Sequence, residues 1–285
     1  MASINSEASK SLKALLQQLE QHLNADGLAI VGPIRGGLEG LTRLALEPVQ
    51  NKRPKLFVVL HTGGGVVEVA ERMVNVIRHF YQEVVFVVPN LAMSAGTILA
   101  MSGDAIMMDY FACLGPIDPQ VERDGKLVPA LSYLLQWDRF VGKSQNGTLT
   151  NAEFLIMRGM DLAEMHQFEM ARDLSISLLK QWLATYKFKD WTTTETNQTT
   201  VTPAMRVARA EEIAVRLMKH DEWGSHGRGI PMRVLQQELK LRIDDFGADA
   251  VHLEPEELLR PPHRLHDPQQ ARELCPLARI RLRRS

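Results

Sequence analysis

A continuous apolar run that ends in three consecutive glycines and passes at once into an amphipathic helix constrains this chain most. Leu56, Phe57, Val58, Val59 and Leu60 follow one another without a polar break, the pattern of a strand covered on both faces. The run stops at His61-Thr62-Gly63-Gly64-Gly65, and Val66, Ala70, Met73, Val74, Ile77 and Phe80 then recur along one helical stripe. The pattern repeats at once. Val84 to Val88 reads as a second buried strand, Pro89-Asn90 ends it, and a short helix is expected to start near Ser94. Ala105 to Met108 reads as a third strand. Strands alternating with helices predict an α/β core with parallel strands.

Around this core the periodicity predicts a first helix from Glu7 to Leu23, a strand from Gly27 to Val31 and a helix over Leu38 to Leu46. Beyond about residue 125 the pattern turns helical. Thr150-Asn151-Ala152-Glu153 matches a capping box and is read as opening one long helix to about Tyr186. Thr192 to Thr200 is expected to be a loop. Thr202-Pro203 supplies an N-cap and a first-turn proline for a helix ending near His220, and Pro231 starts another through Leu241. The resulting division is an N-terminal helix over 1–26, a main domain over 27–245 and an irregular tail over 246–285.

Hydrophobic residues at 45% and charged residues at 24% fit a soluble globular chain, and a net charge of -1 gives no global attraction to nucleic acid. The first 23 residues are polar and carry Lys10, Lys13 and Glu20, so neither a signal peptide nor a membrane span is expected. Two cysteines, Cys113 and Cys275, make no disulfide framework and suit a reducing compartment, so a cytoplasmic location is expected. The histidines lack metal-ligand spacing, and neither a metal nor a cofactor is expected.

The chemistry gathers at the two turns. Both lie at the C-terminal ends of predicted strands, the edge where open α/β sheets carry their sites. Ser94 sits at a helix start, where the dipole favours developing negative charge. Backbone N–H groups of the Gly64-Gly65 turn and of Ala95 would together form an oxyanion hole for a carbonyl attacked by Ser94. A plain N-cap is the competing role for Ser94, and a tight turn or phosphate cradle for the glycines. No lysine follows in Walker fashion, which disfavours phosphate.

The segment Leu60 to Gln120 resembles the Clp protease proteolytic subunit and signal peptide peptidase superfamily, within the Clp/crotonase fold. Leu60-His61-Thr62, Ala92-Met93-Ser94-Ala95-Gly96-Thr97 and Leu114-Gly115-Pro116-Ile117-Asp118-Pro119-Gln120 are similar to the three core motifs of the serine dehydrogenase proteinase family. Gly63 departs from the proline usual in the first motif. The resemblance implies an α/β fold of the Clp/crotonase type, a spiral of β-β-α units with additional C-terminal helices. It also implies a serine peptidase acting on protein or peptide substrates and assembled as a homo-oligomer.

A serine nucleophile needs a proton acceptor. No histidine occupies the Clp-type position shortly after Ser94. The signal peptide peptidase relatives use a lysine base; Lys126 and Lys143 are the candidates here, and the distance of Lys143 from Ser94 is nearer the one that the resemblance implies. His226, in Trp223-Gly224-Ser225-His226-Gly227-Arg228-Gly229, resembles a late motif of the serine dehydrogenase proteinases. The base stays open between Lys143 and His226. Asp118 is read as orienting a base or binding substrate, and His61 and His166 as weaker candidates. Two further readings compete: a non-catalytic scaffold or peptide-binding protein, and a crotonase-like acyl-CoA enzyme.

Overall fold

The computed structural model describes residues 2–123 and 126–248. In chain order the helices are α1 (Ala2–Leu23), α2 (Leu38–Leu46), α3 (Val67–Phe80), α4 (Ala95–Ala100), α5 (Ala130–Gln145), α6 (Asn151–Arg158), α7 (Leu162–Trp182), α8 (Pro203–Met218), α9 (His220–Trp223) and α10 (Met232–Gln237). The strands are β1 (Asp26–Val31), β2 (Lys55–His61), β3 (Glu83–Val87), β4 (Leu91–Ala92), β5 (Ala105–Met108), β6 (Cys113–Leu114), β7 (Gln120–Arg123), β8 (Lys126–Pro129), β9 (Ile230–Pro231) and β10 (Asp244–Asp245).

The main sheet has the order β1-β2-β3-β5-β10, with every neighbouring pair parallel. A smaller sheet, β4-β6-β9, pairs β4 and β6 in parallel and β6 with β9 antiparallel. β7 and β8 pair with each other. After β2 and β3 the chain crosses into the second layer and then into a helix: β2 leads to Thr62, bridged to Ala92, and on to α3, and β3 leads to β4 and α4. This is the β-β-α spiral of the Clp/crotonase type, with α5 to α8 added after it.

The unbroken apolar runs are explained by cover on both faces. Leu56, Val58 and Leu60 of β2 join Val84 and Phe86 of β3 in the large core with α3 and α4. Their alternating neighbours Phe57, Val59, Val85 and Val87 pack with Leu16 and Leu19 of α1 and with Phe246. A strand read by both layers cannot afford polar residues on either face.

Two helix expectations need correction. The helix opened by Thr150 ends at Arg158, and α7 starts afresh at Leu162 before closing in a π-helical turn at Leu183–Lys187. The capping box itself is present, with Glu153 N–H donating to Thr150 Oγ1 at 3.2 Å. The break is local chemistry: Gly159 ends α6, and Asp161 caps α7 by accepting from the Ala163 and Glu164 N–H groups. α10 likewise stops at Gln237, short of Leu241. Lys240 takes a positive φ of 48°, turning the chain so that Leu239 and Leu241 both reach the core. The expected irregular tail lies, from residue 249 on, outside the described residues.

A buried ion pair ties α3 to the loop before β5. Arg78 Nη1 donates to Asp104 Oδ2 at 2.8 Å, both side chains being under a tenth exposed. Lys189 donates to Asp104 Oδ1 at 2.6 Å, and the Arg78 guanidinium stacks 3.6 Å from the Tyr186 ring centre. Burial alone would raise the Asp104 carboxyl, but Lys189, the Val84 N–H and Arg78 outweigh it and hold it below its ordinary value. The stabilisation is therefore complete above the ordinary aspartate range and lost as pH falls through the lower folded value. Asp104→Ala strands the Arg78 charge and is expected to cost about 3–5 kcal/mol in urea unfolding at neutral pH, with a smaller deficit in acid.

Candidate active site

Ser94 follows β4 and precedes α4, and its backbone takes φ 51° and ψ -118°. A non-glycine residue rarely sits there, and such a conformation costs of order 1–3 kcal/mol unless its surroundings impose it. The hydroxyl makes no capping hydrogen bond to the helix. That sets aside the plain N-cap role, because the cap bond is what would make a serine useful there.

The glycine turn after β2 presses against this serine. Gly64 has φ 103°, and a Cβ on it would lie 2.8 Å from Met93 O and 2.9 Å from Ser94 Cβ. Only glycine lets the two turns meet this closely. The Gly64 N–H is occupied, donating to Thr62 Oγ1 at 3.0 Å, and the Gly64 carbonyl accepts from Ile34 N–H at 2.9 Å. The Gly64 amide is thus engaged within its own turn. The N–H groups of Gly65 and of Ala95, the first residue of α4, have no hydrogen-bond acceptor among the described residues. Ala95 follows Ser94 and Gly65 follows the glycine that touches it, and a pair of open amides is what an oxyanion requires.

The small sheet sets the other groups along the same edge. β4 and β6 run parallel, so the segments after them, carrying Ser94 and Asp118, leave on one side. β9 runs antiparallel to β6, so the segment before it, carrying His226, arrives on that side too. Asp118 is fully buried, and its Oδ1 accepts from His226 Nδ1 at 2.8 Å. The imidazole is 23% exposed. With Nδ1 carrying the proton to a carboxylate, Nε2 is left as an acceptor, and it has no partner among the described residues.

The turn that presents His226 is firmly built. Trp223 is buried and its indole N–H donates to Arg216 O at 2.9 Å, while Gly224 takes φ 71°. Gly229 lies against Cys113, whose Sγ would be 2.7 Å from a Cβ there. Ile117 N–H donates to Leu217 O at 3.1 Å, fixing the Asp118 segment to the end of α8.

Lys143 lies on the helical part that follows the β-β-α units. It occupies the last turn of α5 and is paired with Glu153 of α6. The hydrogen bond from Lys143 is the main reason that the Glu153 carboxyl is held down to about 2. Lys126 falls in β8. His61 closes β2 with its Nδ1 buried and unpartnered, and burial lowers its pKa. His166 is exposed on α7 beside Glu169. The half-buried Cys113 thiol is pushed up by burial, which disfavours its thiolate. Among the described residues there is no cluster of His, Cys, Asp and Glu fit for a metal ion, and no helix is long and apolar enough to cross a membrane.

The parallel main sheet and its β-β-α course define a Clp/crotonase-type scaffold, with Ser94 and the Asp118–His226 pair on one edge of the smaller sheet. A sequence profile for ClpP-like SDH-type serine proteinases matches residues 44–218, and the chain belongs to that family. The match includes Ser94, Asp118 and Lys143 and ends before His226. An uncharacterized protein of Methanocaldococcus jannaschii is 41% identical over 77 residues, which are 27% of this chain and 27% of that protein. A second uncharacterized protein of that organism is 28% identical over 116 residues, 41% of this chain and 38% of its own length. The chain therefore spans about a quarter to two fifths of the length of these curated relatives. Among solved structures, an alanine-for-serine mutant of the 1510-N membrane-bound stomatin-specific protease aligns with a TM-score of 0.44 and 13% identity, covering 76% of this chain and 77% of that one. An alanine-for-lysine mutant of the same protease with a substrate peptide gives 0.45 and 15%, covering 76% and 73%.

Proposed function

We propose that this protein is a serine peptidase that cleaves peptide bonds through an acyl-enzyme on Ser94, with His226 as the base and Asp118 as its orienting carboxylate. The Asp118–His226 hydrogen bond at 2.8 Å carries the reading, because it leaves one imidazole nitrogen poised as an acceptor on the edge where Ser94 lies. Lys143 is the weaker base: its ammonium is engaged by Glu153, and a lysine must lose its proton before it can accept one.

In the mechanism, Ser94 Oγ attacks the substrate carbonyl carbon as its proton passes to His226 Nε2. The carbonyl oxygen becomes an oxyanion held by the Gly65 and Ala95 N–H groups. The C–N bond breaks as His226 returns the proton to the departing amine, leaving an ester on Ser94. Water then attacks the ester carbonyl and gives its proton to His226. Collapse frees the new carboxyl terminus and restores the Ser94 hydroxyl as His226 protonates it. Asp118 orients the imidazole and holds the imidazolium that forms.

The test is cleavage of a fluorescently labelled unfolded protein. The native chain is expected to release fluorescent fragments, and Ser94→Ala to lose at least about 10³-fold in rate with an unchanged melting temperature. Equal cleavage by both proteins would assign the activity to something other than Ser94.

A further inference from the structure

We propose that Thr97 is a positioning residue for this site: its buried hydroxyl clamps the nucleophile turn to the segment that carries the orienting carboxylate. The inference rests on the reading of Ser94, His226 and Asp118 given above and adds a residue that touches none of the reacting atoms.

Thr97 lies in the first turn of α4 and is fully buried. Its Oγ1 is 2.8 Å from Ala92 O and 3.0 Å from Gly115 O, and it accepts from Gly115 N–H at 2.9 Å. A threonine that served only its own helix would bond back to a carbonyl of that helix, whereas Ala92 lies in β4, before Ser94. The two Gly115 contacts are different in kind. They reach the residue that follows β6: the hydroxyl accepts the Gly115 N–H, and its single proton lies within reach of both Ala92 O and Gly115 O.

The position of the clamp gives it consequence. The β4–β6 ladder has only the registers Leu91↔Cys113 and Ala92↔Leu114. Ser94 and Asp118 both lie beyond its end, where strand pairing no longer sets their separation. At that point Gly115 presses on Met93, the residue before Ser94: a Cβ on Gly115 would lie 2.6 Å from Met93 Cε and 3.3 Å from Met93 Cα. Thr97 supplies the polar link across the same junction. From Gly115 the chain reaches Asp118 through Pro116 and Ile117, a short and stiff path with φ fixed at the proline. A shift at Gly115 is therefore passed to Asp118 and, through the 2.8 Å hydrogen bond, to His226. Misplacement on the ångström scale is enough to cost reaction rate.

The experiment measures the rate of Ser94 phosphonylation by a fluorophosphonate probe in the native chain, Thr97→Val and Thr97→Ser, well below their melting temperatures. Valine keeps the shape and removes the hydroxyl, and serine keeps the hydroxyl and removes the methyl. The clamp predicts a roughly 10- to 10²-fold slower reaction for Thr97→Val and a near-native rate for Thr97→Ser. Should the valine protein not fold, Thr97→Ala takes its place in the same comparison. Native reactivity unchanged in the hydroxyl-free variant, or an equal loss in it and in Thr97→Ser, would overturn the role of the hydroxyl. A native chain that does not react at all would instead overturn the reading of Ser94 itself.

Discussion

His226→Ala is expected to slow peptide hydrolysis by about 10³-fold or more, whereas Lys143→Ala keeps a near-native rate. The contrast follows from what each side chain is doing. His226 has no partner for its Nε2 among the described residues, and with the proton on Nδ1 facing Asp118 that nitrogen is an acceptor. Lys143 joins α5 to α6 through Glu153, so its loss removes a link between helices and leaves the sheet edge intact. Asp118→Asn should approach the His226→Ala loss. An asparagine can present its amide to Nδ1 and turn the imidazole to the wrong tautomer, or leave the ring unanchored. Initial rates for the three variants against a labelled protein substrate check the set. A large loss in Lys143→Ala with His226→Ala near native would reverse the assignment of the base.

The second large effect is expected at Gly65. Its φ of 148° suits glycine, and a Cβ there would overlap the Ile34 carbonyl oxygen. That carbonyl accepts the Val66 N–H at 2.8 Å, so the alanine methyl pushes directly on the backbone pairing beside the oxyanion turn. Gly65→Ala is expected to cut the hydrolysis rate by about 10²- to 10³-fold through the displaced donor. It should also cost about 1–3 kcal/mol in stability. Gly63 is the control in the same turn: nothing lies within 4 Å of a Cβ there, and its φ is not in the positive range. Gly63→Ala should retain stability and activity. Equal losses at the two positions would mean that the turn tolerates no substitution at all and would remove the argument for a specific donor.

The central strands of the main sheet were legible in the sequence because they are buried on both faces, whereas its edge strand β10, two half-buried aspartates, was not. Double burial turns a strand into an unbroken apolar word, and Lys55 to Leu60 and Val84 to Val88 fall on β2 and β3 almost residue for residue. The turn at Ser94 was legible too, since a serine among small residues between a strand and a helix has few uses. The smaller sheet was not. β4, β6 and β9 have two residues each, too few for any periodicity to register. Yet that sheet is what brings Asp118 and His226 together, across 108 positions of sequence. Without it, His226 could be read only as a histidine in a shaped glycine turn, and Lys143 stood as its equal.

Hydrogen-bond assignments were hidden in the same way. Gly64 and Gly65 look alike in a run of glycines, and only the bond to Thr62 shows that one amide is taken and the next is open. Thr62 and Thr97 end two of the motifs and read there as ordinary small polar residues. Their burial at 1% and 0% was the missing signal, because a buried hydroxyl must find partners, and these find theirs in the backbone of the site. The split between α6 and α7 was signalled by Gly159 and Asp161, a stop and a cap in close succession.

The most direct test of the central claim is to treat the native chain with a fluorophosphonate probe and locate the adduct by mass spectrometry, with His226→Ala and Lys143→Ala in parallel. An activated serine predicts a single adduct on Ser94 that persists in Lys143→Ala and is nearly lost in His226→Ala. A folded native chain that takes up no probe, or takes it up at another residue, would contradict the account and return Ser94 to a structural place at the head of α4.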